Sequence, residues 1–321
     1  MTPSSLTVLI PCHNEEASVR SVVAEYRKVL PGARILLVDN ASTDRTYELA
    51  LATGADVIRE RRKGKARAVL TALEQIDTDL LIMVDGDGSY PAEGARILFE
   101  RHCDQPADMI TGIRCTDAGE EDIFRPMHQL GTSMFGRILN MVFGFQSGDI
   151  FSGLRLFSRR FYQNVPILSR GFELELELTV QAIDKGFLMT EAPVPFRART
   201  AGTSSKLRTV RDGARIARFL LVLSRDYRPL AFFSVAAVLI ALLGLAAGAL
   251  PILGYLQTGL VDRLPLAILA ASLMILASLA LQTGLSLESS LRYHREDYQN
   301  RIRSFTRESQ SRTRSRTRSV A

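Results

Sequence analysis

Along the first two thirds of the chain, short apolar runs of strand length alternate with segments whose apolar residues recur at helical spacing. The runs are Leu6–Pro11, Arg34–Asn40, Ala55–Glu60, Leu80–Val84 and Asp108–Arg114. Uninterrupted apolar character predicts strands buried on both faces, as in a parallel sheet covered by helices. Between them the pattern predicts four helices. One ends near Leu30, one is N-capped by Ser42 or Thr43 and runs to about Thr53, and two span Lys65–Gln75 and Pro91–Cys103. Strands alternating with helices of this length specify βαβ units and an α/β fold.

Beyond residue 228 the pattern changes. Leu230–Leu250 and Leu264–Leu287 carry no charge, and each meets the requirement of about 20 apolar residues for a spanning helix. The link between them, Pro251–Arg263, is short. Arginines crowd the outer flanks instead, from Arg208 to Arg228 before and from Arg292 to Arg303 after. Positive flanks stay on the cytoplasmic side, so the pattern predicts a multi-pass hairpin with both termini cytoplasmic and the link outward. Within 208–228 the arginines recur at helical spacing beside Val210, Ala214, Ala217 and Leu221. That predicts an amphipathic juxtamembrane helix drawn to anionic membrane lipid. Residues 288–321 are rich in Arg and Ser with almost nothing to bury, and are expected to be an unstructured tail. No aromatic platform accompanies the tail, so nucleic acid is not an expected partner.

The polar residues cluster where an open sheet binds ligands. Asn14 and Glu15 follow the first strand, Asp39 ends the second, and Asp85 and Asp87 follow the Leu80 run in the stretch DGDGSYP. All fall at carboxyl ends of strands, hence on one edge. Two hard oxygen donors one residue apart suit Mg²⁺ or Mn²⁺ that also binds substrate phosphates. The competing reading is an acidic turn capping the next helix. An EF-hand is excluded, since its twelfth position would be Arg96 rather than a bidentate Glu. Neither a dinucleotide G-x-G-x-x-G nor a P-loop is present, so a diphosphate has no glycine cradle to rest on.

Three cysteines form no disulfide framework, which predicts a reducing compartment. The adjacent Cys12-His13 and His102-Cys103 pairs lack zinc spacing. The net charge of +6 comes partly from the tail and the arginines before residue 229. The first residues lack the basic and apolar regions of a signal peptide, so the chain is expected to begin in the cytosol.

Taken together, IPCHNEE (Ile10–Glu16), VDNASTD (Val38–Asp44), KGKA (Lys63–Ala66) and VDGDGSYP (Val84–Pro91) resemble family-2 glycosyltransferases of the GT-A fold. DIFSGLRLF (Asp149–Phe157), GFELELE (Gly171–Glu177) and RTAGTSSKL (Arg199–Leu207) narrow the resemblance to the dolichyl/polyprenyl-phosphate branch. It implies a GT-A domain over 1–207, the juxtamembrane helix over 208–228, a two-helix transmembrane hairpin over 229–287 and the tail over 288–321. The implied activity is inverting transfer of a sugar from a nucleotide sugar (a UDP-sugar, or alternatively GDP-mannose) to a polyprenyl phosphate at the bacterial inner membrane. A homo-oligomer is compatible with this organisation.

The resemblance also assigns residues. Pro11, Glu15, Asp39, Asp85 and Gly86 would line the nucleotide-sugar pocket, and Asp85 and Asp87 would hold the metal. Arg114 would contact phosphate. Asp149 would lie at the reacting centre, as a base or as an orienting group. Arg199, Lys206 and Arg125 would hold the acceptor phosphate. Glu173, Glu175 and Glu177 stand either as an acidic helix face or with one site residue among them. Rival readings have weaker support. Processive synthases of this class use Gln-x-x-Arg-Trp, and the chain has no tryptophan. A nucleotidyltransferase would need an N-terminal glycine-rich loop. A catalytically inert membrane adaptor that binds nucleotide sugar is the alternative from a different class.

Overall fold

The apolar runs become strands of one sheet, with the Ala55–Glu60 run at its edge. The computed structural model describes residues 5–115, 148–169, 174–197, 221–222, 224–260 and 263–319, with side chains to 304. β1 (Leu6–Cys12) is buried at every position. It pairs in parallel with β2 (Arg34–Asn40) on one side and β4 (Leu80–Met83) on the other. β3 (Asp56–Glu60) adds in parallel to β2. β5 (Met109–Cys115), β6 (Arg155–Ser158) and β7 (Met189–Pro195) complete the order β3-β2-β1-β4-β6-β5-β7. Among the described strands only β6 opposes its neighbours, pairing antiparallel with both β4 and β5. The sheet is therefore mostly parallel, as expected.

The antiparallel insertion has a consequence for function. Chain entering β6 does so at the edge where the parallel strands end, so the loop before Arg155 joins their carboxyl ends. Register makes this concrete. Met83 pairs with Arg155, so Asp85, two residues past β4, comes opposite Gly153, two residues before β6.

Among the described residues of this unit the helices are α1 (Val19–Val29), α2 (Thr46–Leu51), α3 (Lys65–Leu73), α4 (Ala92–Asp104), α5 (Arg159–Tyr162) and α6 (Leu174–Asp184). Val19, Val22, Val23 and Tyr26 put one face of α1 into the core, the spacing of an amphipathic helix. The start of α2 differs from expectation. Its N-cap is Arg45, not Ser42 or Thr43. Those two residues bind the preceding loop instead: Ser42 Oγ accepts the Asn14 N–H at 3.0 Å, and Asn14 Oδ1 accepts the Thr43 N–H at 2.8 Å.

The described residues between 221 and 301 form a separate helical unit. In it α7 (Pro229–Thr258) and the first part of α8 (Leu264–Ser319) pack antiparallel. A Cβ at Gly284 would lie 2.9 Å from Phe233, one at Gly244 3.2 Å from Leu273, and one at Gly248 3.4 Å from Ala270. Small residues at such crossings let apolar helices approach without help from water. Their outer faces are greasy: Leu243 is 63% and Leu256 74% exposed. Both helices are long and apolar enough to cross a membrane.

Two boundaries differ from expectation. The link is shorter than Pro251–Arg263, because α7 runs through Pro251 and ends at Gly259, whose φ of +70° provides a left-handed cap. A proline removes one helical hydrogen bond and bends the helix, which neighbouring packing tolerates. α8 continues to Ser319, across the segment expected to be unstructured. From Leu285 to Ser319 there is neither glycine nor proline to stop it, and Arg301 pairs with Asp297 one turn back at 2.8 Å. Most of the expected amphipathic helix, residues 208–220, lies outside the described residues, as do Arg125, Arg199, Lys206 and Glu173.

Candidate active site

The carboxyl edge of the sheet carries Glu15, Asp39, Asp85 and Asp87, while Arg125, Arg199 and Lys206 lie outside the described residues. Burial, and then the charges of Glu15, Asp39, Asp85 and Asp87, push the Cys12 thiol well above its usual range. Four acidic side chains from three different strand ends thus converge on the end of β1.

The nucleoside side is built by cross-ties between the loops after β1 and β2. Asn14 adopts a left-handed φ of +56° so that its amide can take Thr43. The Glu15 N–H donates to Thr46 Oγ1 at 2.8 Å and the Glu16 N–H to Asp44 Oδ2 at 3.2 Å. Asp39 sits beneath, 1% exposed. Neither of its oxygens has a hydrogen bond, and Arg59 Nε stands 3.4 Å away. Buried carboxylate oxygens are seldom left without donors, so this position suits a ligand that brings its own N–H or O–H. Pro11, the penultimate residue of β1, lies alongside Val38. Gly86 packs under it, where a Cβ would come within 2.6 Å of Cys12 Sγ, and its carbonyl accepts the Ser18 hydroxyl at 2.7 Å.

Asp85 and Asp87 are held differently. Asp87 Oδ1 accepts the Ser89 N–H at 3.0 Å and the Ser89 hydroxyl at 2.6 Å, which fixes its carboxylate. Asp85 Oδ1 accepts the ammonium of Lys65, which also donates to Glu175 Oε1 at 2.5 Å. Burial alone would lower the Lys65 proton affinity, but Asp85 and Glu175 outweigh it and hold the ammonium above the ordinary lysine range. Asp85 Oδ2 faces the backbone of Gly153, with no room there for a side chain.

Among the described residues no three His, Cys, Asp or Glu side chains gather as a complete metal cage. The pair nevertheless fits a hard divalent cation that keeps waters and takes its remaining ligands from a diphosphate. Asp85 and Asp87 are the residues that would hold it.

Arg114 and Asp149 meet each other. Arg114 Nε and its second guanidinium nitrogen donate to the two Asp149 oxygens at 2.5 and 2.8 Å, a bidentate pair. The guanidinium carbon also lies 5.3 Å from the centre of the Phe196 ring. Burial opposes the Arg114 charge, but Asp149 more than restores it, and the group stays fully cationic. The loop carrying Asp149 is gripped from below by Arg155, which is fully buried and donates to Ile150 O at 2.5 Å, Ser152 O at 3.1 Å and Thr179 Oγ1 at 2.8 Å. Tyr90 Oη accepts the Gly153 N–H at 2.9 Å.

Sequence reasoning gave no role to Lys65, Gly153, Tyr90 or Arg155, and left Glu175 open between an acidic helix face and the site. One signal was available. A lysine at the first position of a helix opposes the macrodipole, so Lys65 needed a reason to be there. Glu175 and Glu177 form no exposed acidic face. Glu175 is the partner of Lys65, and Glu177 accepts the backbone N–H groups of Leu168 and Ser169, both at 2.8 Å.

Known proteins share this architecture. The family model described as glycosyl transferase family 2 matches residues 7–165. Glycosyltransferase AglJ of Haloferax volcanii is 31% identical over 233 residues, 72% of this chain and 76% of that protein. A dolichyl-phosphate hexose transferase of the same organism is 27% identical over 227 residues, 71% of this chain and 97% of its own. The glucosyl-3-phosphoglycerate synthase of Mycobacterium tuberculosis, crystallised with Mn²⁺, uridine diphosphate and phosphoglyceric acid, matches at a TM-score of 0.55. That match covers 69% of this chain and 78% of that one at 20% identity. The mostly parallel sheet with its single reversed strand is thus of the GT-A kind, and the chain belongs to glycosyl transferase family 2.

Proposed function

We propose that this glycosyltransferase moves a sugar, with inversion, from a nucleoside diphosphate to a polyprenyl phosphate at the cytoplasmic surface of a membrane. The observation that carries this reading is one sheet edge bearing Asp39, the Asp85/Asp87 pair and the Arg114–Asp149 pair, in a chain that continues into two membrane-length helices. The match to a dolichyl-phosphate hexose transferase supports the acceptor class.

The chemistry asks for cations on both sides of the reacting carbon. Negative charge develops on the departing diphosphate, and Arg114 lies at the edge where it would appear. A divalent ion held by Asp85 and Asp87 would supply Lewis-acid stabilisation of the same charge. The acceptor is a phosphate monoester whose second pKa is near 6, so it is already mostly dianionic and needs no strong base. The engagement of Asp149 by Arg114 accords with this: Asp149 acts as the group that aims the guanidinium. Arg199, Lys206 and Arg125 are the proposed cradle for the acceptor phosphate. Asp39 takes the nucleoside, for which a UDP-sugar is the favoured donor and GDP-mannose the alternative.

The test is a set of radiolabelled nucleotide sugars offered with undecaprenyl phosphate to membranes containing the protein, the lipid product being identified by mass. A labelled polyprenyl-phosphate sugar from one donor is expected; no lipid product from any donor would overturn the acceptor. Lys206→Ala is expected to raise the KM for lipid phosphate by about tenfold, the worth of one charge-assisted phosphate contact. A change confined to the KM of the nucleotide sugar would place Lys206 elsewhere. Protease added to sealed vesicles is expected to trim the C-terminal segment only when the cytoplasmic face is outward.

A further inference from the structure

Lys65 stands at the N-terminal end of α3, where the helix dipole disfavours an ammonium. It is there all the same, with its side chain only 16% exposed, and it bridges two carboxylates that come from different parts of the fold. One is Asp85 at the end of β4. The other is Glu175 on α6, itself buried. The two oxygens of Asp85 are not equivalent. Oδ2 faces the Gly153 backbone, and Oδ1 is the oxygen that Lys65 holds. A divalent cation arriving at Asp85 therefore meets an ammonium already in place.

We propose that Lys65 is an internal counter-cation that competes with the divalent ion for Asp85, with Glu175 as the second seat that keeps the ammonium paired when Asp85 turns to the metal. The inference rests on the reading of Asp85 and Asp87 as metal ligands. The arrangement does two things. Without metal it keeps the two carboxylates it bridges, Asp85 and Glu175, from repelling one another. With metal it offers the displaced ammonium a partner 2.5 Å away, so that no buried charge is stranded. The donor-free enzyme then binds metal weakly. Lys65 is a positioning residue in this scheme, acting on the metal through Asp85.

The experiment is a Mn²⁺ titration of the full-length, donor-free protein in nanodiscs, with free Mn²⁺ read by electron paramagnetic resonance. Lys65→Met is expected to tighten Mn²⁺ binding roughly tenfold or more, the size of the effect one adjacent charge has on a carboxylate's affinity for a cation. Lys65→Arg, which keeps the charge, is expected to bind like the wild type. Glu175→Gln removes the second seat, confines the ammonium to Asp85 and is expected to weaken binding. Asp87→Ala should bind Mn²⁺ poorly, and this variant separates the two readings. If Asp87→Ala loses Mn²⁺ while Lys65→Met matches the wild type, the competition is wrong and the metal ligands stand. If Asp87→Ala binds like the wild type, the metal assignment fails and takes the competition with it. Should Lys65→Met not fold, Glu175→Gln decides, and unchanged or tighter binding there overturns the proposal.

Discussion

Asp87→Ala is expected to reduce glycosyl transfer by about a thousandfold, the consequence of losing several kcal/mol of charge stabilisation at the leaving diphosphate. The fold should survive. Asp87 lies beyond the end of β4, whose Ile82 and Met83 are fully buried and owe nothing to the carboxylate. What the substitution strands is the Ser89 N–H and hydroxyl, which lose their acceptor at a cost of roughly 1–3 kcal/mol. Ser89 remains tied from the other side, because its carbonyl accepts the Arg197 N–H at 2.9 Å. Transfer of labelled sugar to lipid phosphate and thermal unfolding, measured on the same preparation, check both halves. Full activity of the variant in metal-free buffer would remove the metal role altogether.

That the two aspartates could be placed at the sheet edge from sequence, while the groups that hold them could not, has a physical reason. Leu80–Val84 is apolar without a break, so its identity as a buried strand, and the position of the two aspartates at its end, follow from local pattern. The same holds for Leu6–Cys12 with Glu15 and for Arg34–Asn40 with Asp39. β6 and β7 gave no such signal. β6 is four residues long, and β7 contains Pro193 and Pro195, which argue against a strand. They are tolerated because β7 is the outermost strand and pairs only with β5. Missing β6 meant missing the reversal that folds the 148–154 loop onto the ligand edge. The resemblance located Asp149, but not that Arg114 would hold it. The Lys65–Glu175 contact joins residues 110 apart in sequence, and no periodicity carries that information. The repeated Glu-Leu pattern gave no hint that its two described carboxylates would turn to different tasks.

The second large effect is expected where no side chain exists. Gly153→Ala would place a Cβ 2.1 Å from Asp85 Oδ2 and 2.7 Å from its carboxyl carbon, far inside contact distance. Something must move, and the loop is poorly able to. Its N–H at Gly153 is held by Tyr90 Oη, whose phenol burial pushes to about 12, so the hydroxyl stays a neutral hydrogen-bonding group at any working pH. Arg155 holds the carbonyls of Ile150 and Ser152 from beneath. Asp85 is the freer partner, anchored by the flexible Lys65, so the carboxylate is the group that swings. Moving a positioning group by about 1 Å costs on the order of a hundredfold in rate. Overpacking at this buried turn should cost ~1–3 kcal/mol of stability. The expected result is therefore a folded protein whose kcat falls by about two orders of magnitude and whose Mn²⁺ affinity falls with it. Wild-type turnover by Gly153→Ala would mean that Asp85 can leave its place without consequence. A loss of activity with unaltered Mn²⁺ binding would mean that the loop, rather than the carboxylate, had yielded.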